Sequence, residues 1–170
     1  MSVGPAFAEL ADFAATALTP AGIALGAVTP EPEAAGYAGG LVRVGARQLR
    51  IRTARLTPKK TGLFVAIWTR RADGSSGPVP GDDPSDGVLL FVAEGEHRGA
   101  FLVPGRGPDP LGLRANLDGS GGKRGVRLYP PWSQAESAQA GRSQHAQAPF
   151  FVPAGPLDPR TAAWLRTRDR

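Results

Sequence analysis

Five carboxylates bracket the most apolar run of the chain. Asp82, Asp83 and Asp86 precede residues 88–92, and Glu94 and Glu96 follow them, with His97 next. Two-metal nucleases gather carboxylates and a lysine around such strands. The nearest approach to that pattern is Asp86 with Glu96-His97-Arg98. Glu96 falls in a turn, however, and Arg98 cannot serve as the lysine would. Asp82 and Asp83 read as solvated loop residues. His97 and His145 have no His-x-x-x-His partner, and cysteine is absent, which excludes disulfides, thiol nucleophiles and Cys-ligated metal. No serine has a Gly-x-Ser-x-Gly setting, and no phosphate-loop or dinucleotide glycine fingerprint is found. No catalytic residue, metal site or cofactor is therefore assigned.

Positive charge is the stronger signal. The run 50–70 contains Arg50, Arg52, Arg55, Lys59, Lys60 and Arg70, and no acidic residue lies between Ala34 and Ala72. Arg50 and Arg52 fall on one face of an expected strand, about 7 Å apart, close to phosphate spacing along a nucleic-acid strand. Lys59 and Lys60 fall at the tip of the turn Thr57-Pro58-Lys59-Lys60-Thr61-Gly62. A second cluster, Lys123, Arg124 and Arg127, lies among glycines that allow close backbone approach. Tyr129 and Trp132 follow, with flat faces on which a base could stack. A solvated strand face and core aromatics are the plainer alternatives for each residue alone; the group together favours contact with a polyanion.

The whole chain supports that balance only in outline. It has 170 residues, a net charge of +5 and a pI of about 10.4. A single domain of this length buries most of its apolar surface, and the charge suits an anionic partner. No stretch approaches the ~20 apolar residues of a membrane span. The N-terminus lacks a secretory layout, since Glu9 and Asp12 interrupt its apolar run. The expectation is a soluble cytoplasmic protein with no membrane partner and an open oligomeric state.

The elements that must position these residues follow from periodicity. Phe7, Leu10, Phe13, Ala14, Ala17 and Leu18 form a helical stripe over 5–18, ended by Thr19-Pro20. Strands are expected at 39–44 and 48–56 around a Gly45-Ala46-Arg47 turn, and at 63–70, apolar on both faces and so central. A long polar loop covers 71–87. Strands at 88–92 and 98–103 flank Gly95-Glu96, residues 105–122 read as a glycine-rich loop, and 126–129 as a short strand. Ser133, with Glu136 three residues on, has capping-box spacing for a helix to about residue 147. Residues 150–152 read as a short strand, and Asp158-Pro159 opens a last helix over 159–166.

Four blocks in this order resemble the MepB-like family, whose members include proteins encoded beside bacterial multidrug-efflux genes. They are Glu33-x-x-x-Tyr37, the run from Ala54 through Thr57-Pro58-Lys59-Lys60-Thr61-Gly62 to Trp68-Thr69-Arg70, the Pro-Val-Pro segment with its acidic loop, and Lys123 to Trp132. The resemblance spans about 31–152 and leaves the two terminal helices as flanking elements of one 1–170 domain. It implies an α/β (α+β) fold, a mixed β-sheet flanked by helices, similar to the PD-(D/E)XK restriction endonucleases. It also implies nucleic-acid binding without an intact nuclease centre. One departure is Ala146, which stands where the family pattern tends to Trp, between the retained Gln144 and Gln147.

The expectation is therefore a nucleic-acid-binding protein, favouring single-stranded DNA or RNA, that is not an enzyme. Arg50, Arg52, Lys59, Lys60, Lys123, Arg124 and Arg127 would hold phosphates, with Tyr129 and Trp132 stacking. The alternatives are a metal-dependent nuclease built on Asp86 with Glu94 or Glu96, and a small-molecule or protein-interaction module linked to drug resistance.

Overall fold

The computed structural model of the protein describes residues 7–168; the expected helix start at Pro5 lies outside them. The N-terminal stripe coils into α1 (Ala8–Phe13) and continues as a π-helical turn, Ala14–Leu18. Leu10, Phe13, Ala17 and Leu18 are buried from it, as the apolar spacing requires. An extended link leads to β1 (Thr29–Pro30), a 3-10 segment at Pro32–Tyr37, β2 (Gly40–Val44) and β3 (Arg47–Thr53).

The run 48–56 forms two strands, contrary to the single strand expected. After Ala54 donates its backbone N–H to the Phe91 carbonyl at 2.9 Å, the chain leaves the first sheet. It enters a second as β4 (Arg55–Thr57), which turns into β5 (Lys60–Ala66). Nothing local marks that parting, because neither glycine nor proline stands there. A two-residue ribbon of β6 (Thr69–Arg70) and β7 (Ser76–Gly77) follows. Then come the long hairpin β8 (Gly87–Glu94) and β9 (His97–Pro104), and β10 (Gly125–Leu128). The chain ends with α2 (Ala138–Gln147), β11 (Phe151–Pro153) and α3 (Pro159–Arg166).

The main sheet runs β1-β2-β3-β8-β9-β11 and the small sheet β10-β5-β4. The main sheet is mixed: β3 and β8 are parallel and the other pairs antiparallel. Strand β8 is central and buried on both faces, as its continuous apolar run predicts. Leu89 and Phe91 face α1 and α3, with Leu10, Phe13, Ala162 and Leu165. Val88, Leu90 and Val92 face the small sheet through Leu63, Val65 and Leu128. Each such side chain contributes about 1.5–3 kcal/mol when fully buried, so the chain folds around β8 from both sides. The result is one mixed α/β domain with α1 and α3 on one face of the main sheet, the small sheet on the other, and α2 beside the edge of β10. Among the described residues no helix is long and apolar enough to cross a membrane.

The helix expected from Ser133 begins later. Ser137 is the N-cap, its hydroxyl accepting the Ala140 N–H at 3.1 Å. Ser133 instead closes a turn, donating its N–H to the Pro130 carbonyl at 2.9 Å, while Trp132 packs beneath the turn. Asp158 does cap α3: its carboxylate accepts the Thr161 hydroxyl at 2.6 Å and the Thr161 N–H at 2.9 Å. Those bonds hold its pKa below the ordinary carboxylate range. The folded pKa is therefore below the unfolded one, and the gain is present above the ordinary carboxylate range and lost as pH falls through the folded value. Asp158→Ala should cost about 1 kcal/mol at neutral pH. In parallel urea melts the gap from wild type should close in strong acid; a gap independent of pH would contradict the assignment.

Candidate functional site

Arg50 and Arg52 do not present a surface. Both lie on the face of β3 turned toward the small sheet, and they are 7% and 0% exposed. Arg50 forks between the carboxylates of Glu31 and Asp83, 2.7 Å from the latter. Arg52 reaches the other oxygen of Glu31 and donates to the Ile51 carbonyl at 2.8 Å. Asp83 in turn accepts the Ser85 hydroxyl. Burial lowers the Arg52 pKa from its ordinary value, and the Glu31 carboxylate opposes that shift. Two cations and two anions thus neutralise each other inside the protein, as buried charge requires. The counter-charges missing from the local sequence come from positions 31 and 83. Gly39 makes room for them: a Cβ there would sit 2.8 Å from Arg52 Nη1 and closer still to the Ala34 Cβ. As phosphate contacts, Arg50 and Arg52 are corrected to internal structural residues, and Asp83 is no solvated loop acid.

The remaining cations gather on the small sheet. Lys59 and Lys60 are exposed at the tip of the β4–β5 turn. Lys123 and Arg124 are exposed where the chain enters β10, and Arg124 donates to the Ser76 carbonyl at 3.1 Å. Because β10 runs antiparallel to β5, and Ile67 donates its N–H to the Arg124 carbonyl, these two clusters mark opposite ends of one ladder. Seven strand residues separate them by about 23 Å. Among the described residues, no carboxylate pairs with Lys59, Lys60, Lys123 or Arg124.

Between the clusters, Arg127 and Arg55 both stand opposite Phe64, one from β10 and one from β4. Directly opposed residues share a face, so a row Arg127–Phe64–Arg55 crosses the outer side of the small sheet. Tyr37 meets Phe64 edge-on at 6.3 Å, and the Arg55 guanidinium lies 5.3 Å from the Tyr37 ring. Arg127 is half-buried and braces the basic turn, donating to Thr57 Oγ1 at 3.0 Å and to the Thr61 and Gly62 carbonyls at 3.3 and 3.4 Å. Gly62 takes φ +84°, and a Cβ there would meet the Leu128 carbonyl and the Tyr129 ring. Sequence reasoning did not assign site roles to Arg55, Phe64 and Tyr37. The strand pairing through the Pro58-Lys59 turn is the signal that would have joined Arg55 to Phe64.

Tyr129 and Trp132 are held by the fold. Gln147 is 2% exposed, and its carboxamide accepts the Tyr129 N–H at 2.8 Å and donates to the Arg127 carbonyl at 3.0 Å. It thereby supplies the missing partner for the outer edge of β10. Gln144 donates to the carbonyls of Pro130 and Ser133 at 3.0 and 2.8 Å. Trp132 is stacked by His97 at 5.1 Å, meets the edge of Phe151 and donates its indole N–H to Glu94 at 3.1 Å. One face of its ring is thus occupied already.

The acids do not converge. Asp86 stands just before β8 and Glu94 at its last residue, about 25 Å apart along the strand. Asp86 accepts the Gln48 N–H at 2.7 Å, and Glu94 holds Trp132. Among the described residues no group of three or more His, Asp or Glu could hold a metal ion.

The sequence profile of the MepB-like family matches residues 31–153. The chain is also similar to a crystal structure of MepB at 26% identity and a TM-score of 0.69, over 76% of this chain and 86% of that one. No curated protein matches it.

Proposed function

This chain belongs to the MepB-like family, and on that footing we propose that it binds single-stranded nucleic acid across the outer face of its small sheet. The observation that carries the reading is the Arg55–Phe64–Arg127 row beneath Tyr37, flanked at both ladder ends by exposed cations with no carboxylate partner. Single strands are held by a positive track with aromatic faces between the charges, and a ladder of about 23 Å spans three to four phosphates. Lys59 and Lys60 hold phosphates at one end, and Lys123 and Arg124 at the other. Arg55 and Arg127 hold them at the centre, where Phe64 and Tyr37 offer apolar surface to bases. Tyr129 and Trp132 support the turn from below. No catalytic step belongs to this reading. The endonuclease-like ancestry implied by the resemblance is part of the same proposal.

The test is a salt titration with an oligothymidylate. Lys59→Ala with Lys60→Ala should weaken binding to any single-stranded sequence. It should also reduce the slope of log affinity against log salt by about 1.4, or 0.7 for each phosphate no longer neutralised. Both lysines are exposed, so the fold is retained. Unchanged affinity and slope would end the proposal. Asp86→Asn should leave binding intact, and magnesium or manganese should bring no cleavage of the oligonucleotide.

A further inference from the structure

A second concave region lies away from the small sheet, where β8 begins and β9 ends. Its polar half is a hollow of about 800 Å3 lined by Arg106, Arg114, Arg168, Asp82, Asp86 and Trp164, among others. An adjoining hollow of about 610 Å3 shares Pro104, Arg106 and Trp164 with the first, but is lined chiefly by apolar groups including Phe150, Pro149 and Leu102. The two hollows are neighbours, and Pro104, Arg106 and Trp164 line both. This polarity, guanidinium at one end and flat apolar surface at the other, is that of a small-molecule site.

Its cations differ in their ties: Arg168 donates its Nε–H to the Ala46 carbonyl at 3.3 Å, and Arg114 is tied to the backbone as well. Among the described residues Arg106 makes no hydrogen bond or ion pair, and neither Arg114 nor Arg168 has a carboxylate partner. Arg114 is held in place: its Nη1 donates to the Asp83 carbonyl at 3.3 Å, and its Nη2 occupies the space a Cβ on Gly105 would fill, 2.6 Å away. The Arg47 guanidinium lies 4.2 Å from the centre of the Trp164 ring and donates its Nε–H to the Trp164 carbonyl at 2.9 Å, which holds the ring in place. Of the acids lining the cleft, Asp83 is consumed by Arg50 and Ser85, and Asp86 accepts the Gln48 N–H. Asp82 is exposed at the rim, and Asp158, which lines the apolar half beside Arg160, accepts the Thr161 N–H and hydroxyl.

We propose that this cleft binds a small amphipathic anion, with a carboxylate or phosphate held by Arg106 and Arg114 and a flat apolar body lying against Trp164 and Phe150. Guanidinium planes suit both anions, which they grip in a two-pronged manner. The apolar half adds affinity that a bare anion lacks.

Isothermal titration of the full chain with 1-naphthyl phosphate and with 1-naphthoate tests this, with inorganic phosphate and 1-naphthalenemethanol as the two half-ligands. At least one naphthyl anion should bind with Kd on the order of 100 µM, and each half-ligand at least about tenfold more weakly. The stronger of the two naphthyl anions identifies the head group. Arg106→Ala should weaken binding about tenfold; since Arg106 is exposed and without partners, its loss leaves the fold intact. The Lys59/Lys60 double variant should bind the naphthyl anions as wild type does, which separates this cleft from the basic ladder. The proposal is overturned if neither naphthyl anion binds in the millimolar range, if a half-ligand binds as well as the whole, or if Arg106→Ala binds unchanged.

Discussion

Glu31→Ala should lower the free energy of unfolding by about 3–5 kcal/mol, the cost of leaving a buried charge uncompensated. Glu31 supplies one oxygen to Arg50 and the other to Arg52. Without it, Arg52 keeps only the Ile51 carbonyl in a site from which water is excluded. Arg50 keeps Asp83. Glu31 is also the N-cap of the 3-10 segment that carries Tyr37, but through its backbone carbonyl, which accepts the Ala34 N–H at 2.9 Å, so the alanine variant should keep that segment's start. Urea unfolding followed by circular dichroism measures the cost. A paired replacement, Glu31→Leu with Arg52→Met, should recover a large part of it, because a buried ion pair exchanged for apolar volume is often neutral. A loss below about 1 kcal/mol in the single variant would mean that the cluster is hydrated.

Gln147→Ala comes next in expected size, at about 2–4 kcal/mol. It removes two hydrogen bonds and strands two part-buried backbone groups, each costing about 1–3 kcal/mol where water does not replace the lost partner. The Tyr129 amide reports the change directly: its hydrogen exchange should accelerate well beyond the global loss of stability, while amides of β8 should follow the global change alone. Gln147→Glu is the sharper variant. A carboxylate still accepts from the Tyr129 N–H but cannot donate to the Arg127 carbonyl. It should therefore be worse than wild type at neutral pH and improve as acid protonates it. Equal exchange at Tyr129 in all three proteins would remove Gln147 from its role as partner of the β10 edge.

These two residues also separate what is legible in a chain from what is not. The stripe of α1, the buried run of β8, the turn at Gly95-Glu96 and the Asp158 cap of α3 are all visible in sequence. Each depends on interactions within a few residues: apolar spacing, a glycine at φ +60°, a carboxylate three positions from the N–H it accepts. The absence of thiol chemistry follows from composition alone.

The fate of the basic run was settled elsewhere. Period-two alternation correctly puts Arg50 and Arg52 on one face, but alternation says nothing about what that face meets. Their carboxylate partners come from 19, 21 and 33 residues away, and the small sheet closes over them. The parting at Ala54 is equally silent, because it is determined by the Phe91 carbonyl and not by any turn residue. Gln147 reads as an exposed polar residue of a polar helix until β10 arrives beside it. Local pattern was enough to set most of the elements, their faces and an excess of positive charge. Which charges are spent inside the protein, and which remain outside for a partner, was settled when the sheets came together. Neutralising a buried ion is a long-range requirement that no local pattern records.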